Sequence, residues 1–200
     1  MKPLSVSFGL EYFLTPTQHQ LFQMLGKIYQ GKTVSRKGKF ILVQGESPIL
    51  LVAHLDTVHK EPVQVICTSR KGNILMSPQG IGGDDRCGVY ALASIYELSE
   101  KKPWLLFTCD EEIGGIGARA FTEDFEKGNL PDNLKEIKAI VEIDRRGNKD
   151  AVYYDCANDE FEAYITSKGF RTEFGSFSDI SVIAPALGVA AVNLSSRSEE

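Results

Sequence analysis

The stretch Ile49-Leu50-Leu51-Val52-Ala53-His54-Leu55-Asp56 decides the fold. Its first five residues are apolar without a break, which is typical of a β-strand buried on both faces of a sheet. Comparable apolar runs follow later in the chain, at 104–107, 137–143 and 188–192. Helical patterns alternate with them, at 88–98, 116–125, 160–167 and 179–184. This alternation predicts an α/β fold, a mostly parallel mixed β-sheet flanked by helices on both faces, in a single domain over 1–200.

The segments outside this alternation are short. A helical pattern runs from about 15 to 29, and hairpin-like segments cover 33–43 and 63–76. The interval 144–178 is already occupied by a short strand, the helix at 160–167 and a turn. We therefore expect no inserted lid domain.

Composition bounds the class of protein. The 200 residues are 42% hydrophobic, which suffices for a sizeable core, and the net charge of −5 comes without a basic stripe for nucleic acid. No apolar run approaches the roughly eighteen residues that a membrane span needs. The four cysteines form no CxxC pair, and the N-terminus lacks a leader pattern. We expect a cytoplasmic protein with reduced thiols and with neither nucleic acid nor membrane as a partner.

Four acidic or histidine clusters follow apolar runs or a glycine pair. They are His54-Leu55-Asp56, Gly82-Gly83-Asp84-Asp85, Cys109-Asp110-Glu111-Glu112 and Glu142-Ile143-Asp144. Ligands of parallel sheets bind at the carboxyl ends of the strands, so the fold prediction brings these clusters to one edge. Ionised carboxylates this dense repel one another unless a cation holds them together. The pattern predicts a metal centre, although Asp84-Asp85 could equally cap a helix.

Each cluster has a role in such a centre and a plainer explanation beside it. His54 could bind a metal while Asp56 accepts the hydrogen of its second ring nitrogen, but a lone His-x-Asp is more often a surface or core histidine. One carboxylate of Glu111-Glu112 could bind the metal while the other acts as a general base, or the pair could lie on an exposed turn. Asp144 could be a ligand or a turn residue that ends its strand.

Taken together, these clusters resemble the motifs of the co-catalytic dinuclear zinc exopeptidases, a superfamily of aminopeptidases, carboxypeptidases, tripeptidases and aminoacylases. The resemblance covers roughly residues 50–195 with the motifs in the correct order, and its layout is similar to that of the single-domain zinc aminopeptidases. The residues that carry it are 53–58, 82–88, 110–114 and 143–144, with weaker support from 177–179 and 184–189.

This resemblance implies a site for two zinc ions, which cobalt or manganese could replace. Asp84 would bridge the two ions. His54 and Asp144 would complete the protein ligands of one ion, and Glu112 would join Asp84 on the other. The bond between adjacent aspartates is often cis in this family, so Asp84–Asp85 is a candidate.

The resemblance also implies the reaction. Glu111 would be the base that takes a proton from a metal-bound water and hands it to the leaving amine, while Asp56 holds His54. The substrate would be a small peptide, and the first choice of activity is an aminopeptidase. An N-acyl amino acid amidohydrolase or a carboxypeptidase is the alternative, because the same centre serves these reactions. A relative that binds metal or peptide without turnover is a further alternative.

One position departs from the family pattern. The second metal of the family takes a further histidine from beyond the last core strand, whereas the histidines of this chain are His19, His54 and His59. We expect His19 on a helix surface and His59 solvated on a loop. The sequence stops at Glu200, about where the missing ligand would approach, so we expect a chain truncated at its C-terminus. The alternative is a poorly filled second site, in which the chain binds one metal well and a second weakly. The oligomeric state is not indicated.

Overall fold

A computed structural model describes residues 9–59, 61–72 and 74–197. The strands are β1 Thr33–Arg36, β2 Phe40–Val43, β3 Ile49–His54, β4 Cys67–Thr68, β5 Leu75–Met76, β6 Trp104–Thr108, β7 Ala139–Arg146, β8 Asp150–Val152, β9 Arg171–Thr172 and β10 Ala190–Arg197. The helices are α1 Glu11–Leu14, α2 Gln18–Ile28, α3 Gly83–Leu98, α4 Ile116–Glu126, α5 Asp159–Ser167 and α6 Ile180–Leu187, with a 3-10 helix at Asp132–Glu136.

One eight-stranded sheet organises the molecule, in the order β1-β2-β6-β3-β7-β10-β8-β9. The four strands in its middle, β6, β3, β7 and β10, run parallel to one another. The pairings of β1 with β2, β2 with β6 and β8 with β10 are antiparallel. The prediction of a mostly parallel mixed sheet is confirmed.

Helices cover both faces of this sheet. In β3, Leu50 and Val52 belong to a core that includes residues of α4 and α6. Leu51 and Ala53 point the other way, into a second core built with α2 and α3. Because both faces are covered, the residues of β3 from Leu50 onward are all buried, which is the physical reason for the unbroken apolar run.

The first long helix begins later than its apolar pattern suggested. The hydroxyl of Thr17 accepts the N–H of Gln20 at 3.2 Å, and the side-chain oxygen of Gln20 accepts the N–H of Thr17 at 2.9 Å. This reciprocal capping box satisfies two backbone donors and places the first helical residue at Gln18.

The predicted hairpin over 63–76 is mostly irregular. Its paired strands are only two residues each, β4 and β5. The N–H groups of Gln64 and Val65 donate instead to the side-chain oxygen of Gln79, at 3.0 and 3.2 Å. The prediction of a strand from residue 63 is wrong because this side chain takes the donors that a strand partner would need.

The connection between β7 and α6 confirms that no lid domain is inserted. From Asp144 to Ser178, a stretch that the structure describes throughout, the chain forms the end of β7, then β8, α5 and β9. Among the described residues, no helix has the length and apolar character that crossing a membrane requires.

Candidate metal centre

The four clusters meet at one edge of the sheet. His54 is the last residue of β3, and its partner across to β6 is Thr108, the last residue of that strand. Glu111 and Glu112 follow β6 directly, while Asp84 lies in the first turn of α3. The topology therefore brings residues from separate parts of the chain around the His54 imidazole.

Asp144 lies within its strand, so the expectation that it ends the strand is wrong. In the pairing of β7 with β10, Ile143 lies opposite Leu194 and Arg145 opposite Ser195, so Asp144 is an extra residue in the ladder. Such a bulge bends the strand and redirects the side chain of the extra residue. Here the redirected carboxylate faces His54.

The imidazole of His54 is 1% exposed and has carboxylates at both ring nitrogens. Its Nε2 lies 3.1 Å from Oδ1 of Asp84 and 3.5 Å from Oδ1 of Asp144. Its Nδ1 lies 3.3 Å from Oδ1 of Asp56. The Nε2 side is thus the one where two acidic oxygens converge.

The pKa values of His54 and Asp84 are both raised, in the direction expected where a positive charge is favoured. Burial disfavours a charged imidazole, but the hydrogen bonds from Asp144, Asp56 and Asp84 outweigh it and raise the pKa of His54 well above its usual range. Burial, with a further contribution from Asp144, raises the pKa of Asp84. Three carboxylates thus lie close to one buried imidazole, and a positive charge between them would stabilise their ionised forms.

Asp56 does more than the sequence suggested. Its Oδ1 accepts the N–H of Glu111 at 3.0 Å, and its Oδ2 accepts the N–H of Glu112 at 3.0 Å. Burial alone would raise the pKa of Asp56, but the hydrogen bonds from His54 and from these two N–H groups lower it. A single ionised carboxylate therefore holds the imidazole and the glutamate pair in one arrangement.

The two glutamates border the same imidazole. One ligand atom each from His54, Glu111 and Glu112 lie within 4.8 Å of one another, as do atoms of His54, Asp84 and Asp144; these are the only such groups in the part of the chain that the structure describes. Burial, helped by nearby carboxylates, raises the pKa of Glu111 to about 7, and burial also raises the pKa of Glu112. A bound cation would stabilise the charged forms and lower both pKa values.

The peptide bond between Asp84 and Asp85 is cis, as the resemblance implied. The side chain of Asp85 is fully buried and binds backbone groups. Its Oδ2 accepts the backbone N–H of His54 at 3.3 Å, and its Oδ1 accepts the N–H of Gly88 at 3.0 Å. Asp85 thus ties the start of α3 to the end of β3, and Asp84 is left facing the centre.

Sequence reasoning missed Asn193, which lies behind Asp144. Asn193 of β10 is fully buried; its Oδ1 accepts the N–H of Asp144 at 3.1 Å, and its Nδ2 donates to Oδ2 of Asp144 at 3.3 Å and to Oγ of Ser178 at 3.1 Å. Ser178 in turn donates to the buried carboxyl of Glu142. A polar residue directly after the apolar run at 188–192 was the signal that could have found Asn193.

His59 is partly buried and not freely solvated as expected. The imidazole packs against Gly80 and Gly82, so closely that a Cβ on Gly80 would lie 2.1 Å from the ring. Nε2 of His59 is buried and has no hydrogen-bond partner among the residues that the structure describes. His59 is nevertheless absent from both groups of candidate metal ligands.

The donor set fits a divalent metal ion. Imidazole nitrogen and carboxylate oxygen are ligands that zinc, cobalt and manganese accept. His54 is held from behind by Asp56, an arrangement that fixes the ring of a metal-binding histidine. The side chain of Asp84 is 31% exposed, which leaves the centre open on one side, as a catalytic site requires.

Comparisons with known proteins agree with this architecture. No protein-family model matches the chain. A tripeptidase structure from Staphylococcus aureus is similar with a TM-score of 0.52 at 18% identity, covering 74% of this chain and 45% of that one. A glutaminyl cyclase structure from Porphyromonas gingivalis is similar with a TM-score of 0.57 at 14% identity, covering 95% of this chain and 80% of that one. The chain shares the α/β fold of these two structures.

A match in sequence points in the same direction. A probable carboxypeptidase of Emericella nidulans is 35% identical over 96 residues, which cover 44% of this chain and 22% of that protein. The chain therefore matches less than half the length of that carboxypeptidase and of the tripeptidase. Because the similar structures include a cyclase as well as peptidases, the fold by itself does not select the reaction, and the side chains of the centre must do so.

Proposed function

We propose that this chain is the catalytic part of a metal-dependent exopeptidase that hydrolyses a peptide bond next to a free terminus. The observation that carries the proposal is the convergence of His54, Asp84 and Asp144, with Glu111 and Glu112 bordering the same imidazole. These carboxylates suit two neighbouring cations, zinc as the first choice, with Asp84 shared between them.

The residues would divide the work as follows. His54 Nε2, Asp84 and Asp144 would hold one cation, and Glu112 would bind on the opposite side. A divalent cation held there would polarise the scissile carbonyl and lower the pKa of a water molecule to about 7. Glu111 is the remaining carboxylate at the centre. It would accept the proton of the attacking water and deliver it to the leaving amine.

Aminopeptidase activity is our first choice. The absence of a lid domain between Asp144 and Ser178, a stretch described in full, supports it, because the layout then resembles the single-domain aminopeptidases. Carboxypeptidase activity is the second candidate, which the match to the Emericella nidulans protein favours. An N-acyl amino acid amidohydrolase would use the same centre.

The decisive experiment pairs metal analysis with the removal of the proposed base. Protein purified without chelator should contain zinc, and its peptidase activity should disappear on chelation and return with zinc, cobalt or manganese. Leucine p-nitroanilide tests the aminopeptidase, and N-blocked dipeptides test the carboxypeptidase. Glu111→Gln should lower kcat by at least about 100-fold, the usual contribution of a general base, and should leave the zinc content in place.

Glu126→Gln is the matched control, because Glu126 is exposed at the end of α4 and lies outside the centre. Its zinc content and kcat should equal those of the parent protein. If the parent and Glu111→Gln both bind zinc and show the same low rate, the chain is a non-catalytic binding protein and not an enzyme. If the purified protein contains no metal, the proposed metal centre is refuted.

A further inference from the structure

The loop between β6 and α4 carries both glutamates of the centre, and its backbone is unusual just before them. Asp110 has a φ of 60°, which lies in the left-handed region. Side chains disfavour this region, although aspartate enters it more readily than most residues. A change of φ at Asp110 would turn the peptide group that follows, whose N–H belongs to Glu111 and donates to Asp56. The orientation of Glu111 and Glu112 therefore depends on what holds Asp110.

One side chain of α2 binds Asp110 at two points. Nε2 of Gln18 donates to Oδ1 of Asp110 at 2.8 Å, and Oε1 of Gln18 accepts the N–H of Asp110 at 3.0 Å. The two hydrogen bonds fix the side chain and the backbone of Asp110 together. Three successive N–H groups at 110–112 thus have side-chain acceptors, Gln18 for the first and Asp56 for the next two.

Other contacts attach α2 to the protein. Leu21 and Leu25 of this helix are fully buried in the core that α2 shares with α3. Nη1 of Arg86, in α3, donates to two backbone carbonyls just before α2, at 2.8 and 3.0 Å. The helix is therefore held in place independently of Gln18. It follows that α2 is the fixed partner, and that the hydrogen bonds of Gln18 position Asp110.

We propose that Gln18 is a positioning residue for the glutamate pair. By holding Asp110 in its left-handed conformation, it orients Glu111 as the base and Glu112 as a metal ligand. The proposal rests on the exopeptidase function, because that function gives the two glutamates their roles. It makes the start of α2 part of the catalytic machinery, although this helix lies outside the four acidic clusters of the sequence.

Hydrogen exchange of the metal-free protein tests the positioning without turnover. In Gln18→Ala, the amide hydrogens of Glu111 and Glu112 should exchange at least about tenfold faster, because the loop then opens without breaking a hydrogen bond to a carboxylate. Gln20→Ala is the matched control, since the side-chain oxygen of Gln20 accepts the N–H of Thr17 at the start of the same helix. Its amide exchange at 111 and 112 should equal that of the parent protein. Parental exchange in Gln18→Ala would overturn the proposal.

Steady-state kinetics of the zinc-loaded protein test the consequence for the reaction. The substrate is leucine p-nitroanilide or an N-blocked dipeptide, whichever the parent protein cleaves. Gln18→Ala should lower kcat about 10- to 100-fold, the usual effect of a residue that orients the groups of a metal site. KM should stay close to the parent value, because an interaction that orients the base acts in the transition state. Gln20→Ala should keep both constants while lowering the urea midpoint, and an equal kcat in the two variants would contradict the role of Gln18.

Exchanging donor and acceptor between the two residues provides a rescue. In Gln18→Glu, a carboxylate oxygen replaces the N–H donor that faces Oδ1 of Asp110, so kcat should fall as it does in Gln18→Ala. Adding Asp110→Asn supplies a donor from the opposite side, and both hydrogen bonds can form again. The double variant should recover most of the lost kcat and the slow exchange of the glutamate amides. A folded double variant that recovers neither would refute the proposal.

The two readouts keep this proposal apart from the function on which it rests. If the parent protein cleaves no peptide, but amide exchange rises in Gln18→Ala and slows again in the double variant, the exopeptidase function is wrong and the positioning of the glutamate pair stands. If the parent protein is active and Gln18→Ala matches it in exchange and in kcat, the exopeptidase function stands and the role of Gln18 is wrong.

Discussion

Asn193→Ala should weaken both the fold and the binding of zinc at the centre. Asn193→Ala leaves the N–H of Asp144 without its acceptor, which costs about 1–3 kcal/mol, and removes a hydrogen bond to an ionised carboxylate, worth about 1.5–3 kcal/mol. We expect the metal-free variant to lose about 3–5 kcal/mol of its free energy of unfolding, a large part of the 5–15 kcal/mol or so of a typical domain. Because Asp144 loses its orientation, zinc affinity should also fall about 10- to 100-fold.

Two measurements keep stability and metal binding apart. Urea unfolding of the metal-free proteins gives the free energy of unfolding, and competition with a chromophoric chelator, under conditions where both proteins are folded, gives the zinc affinity. Asn133→Ala is the control, since Asn133 is exposed in the 3-10 helix Asp132–Glu136 and belongs to neither group of candidate ligands, and it should change neither quantity. A folded Asn193→Ala protein with the zinc affinity of the parent would refute the reasoning, because Asp144 would then need no support from β10.

The remaining predictions concern packing and thiol reactivity. Gly117→Ala should lower the free energy of unfolding by about 1–3 kcal/mol or more, because its Cβ would lie 2.4 Å from the carbonyl oxygen of Lys39. Gly26→Ala in α2 should raise it by about 0.5–1 kcal/mol, because its Cβ would have nothing within 4 Å. Urea unfolding measures both, and midpoints that shift in the same direction would contradict this pair of predictions. Cys67 is exposed, whereas burial raises the pKa of the Cys109 thiol to about 12. At pH 8 a thiol reagent should therefore modify Cys67 quickly and Cys109 only on unfolding, as peptide mapping by mass spectrometry would show; rapid labelling of Cys109 in the folded protein would contradict its burial.

The layered fold was predictable because its signal is local. A strand covered by helices on both faces needs an apolar residue at nearly every position, and the runs that became β3, β6, β7 and β10 have that pattern. The hairpin at 63–76 was predicted less well. Its first residues bind the side chain of Gln79, which lies beyond the segment whose pattern was interpreted.

The sequence by itself determined which acids and which histidine reach the edge of the sheet, because each lies near the carboxyl end of a strand or at the start of a helix whose position the apolar pattern reveals. Only the tertiary structure decided how these groups are held. A bulge in β7 turns Asp144, Asp56 accepts the N–H groups of the glutamate pair, and the side-chain amide of Asn193 binds Asp144. A cavity beside Glu112, whose wall joins α1, α2 and the loop after β3, was likewise decided by the tertiary structure. These features arise from contacts between residues far apart in the chain, and no local periodicity records such distances.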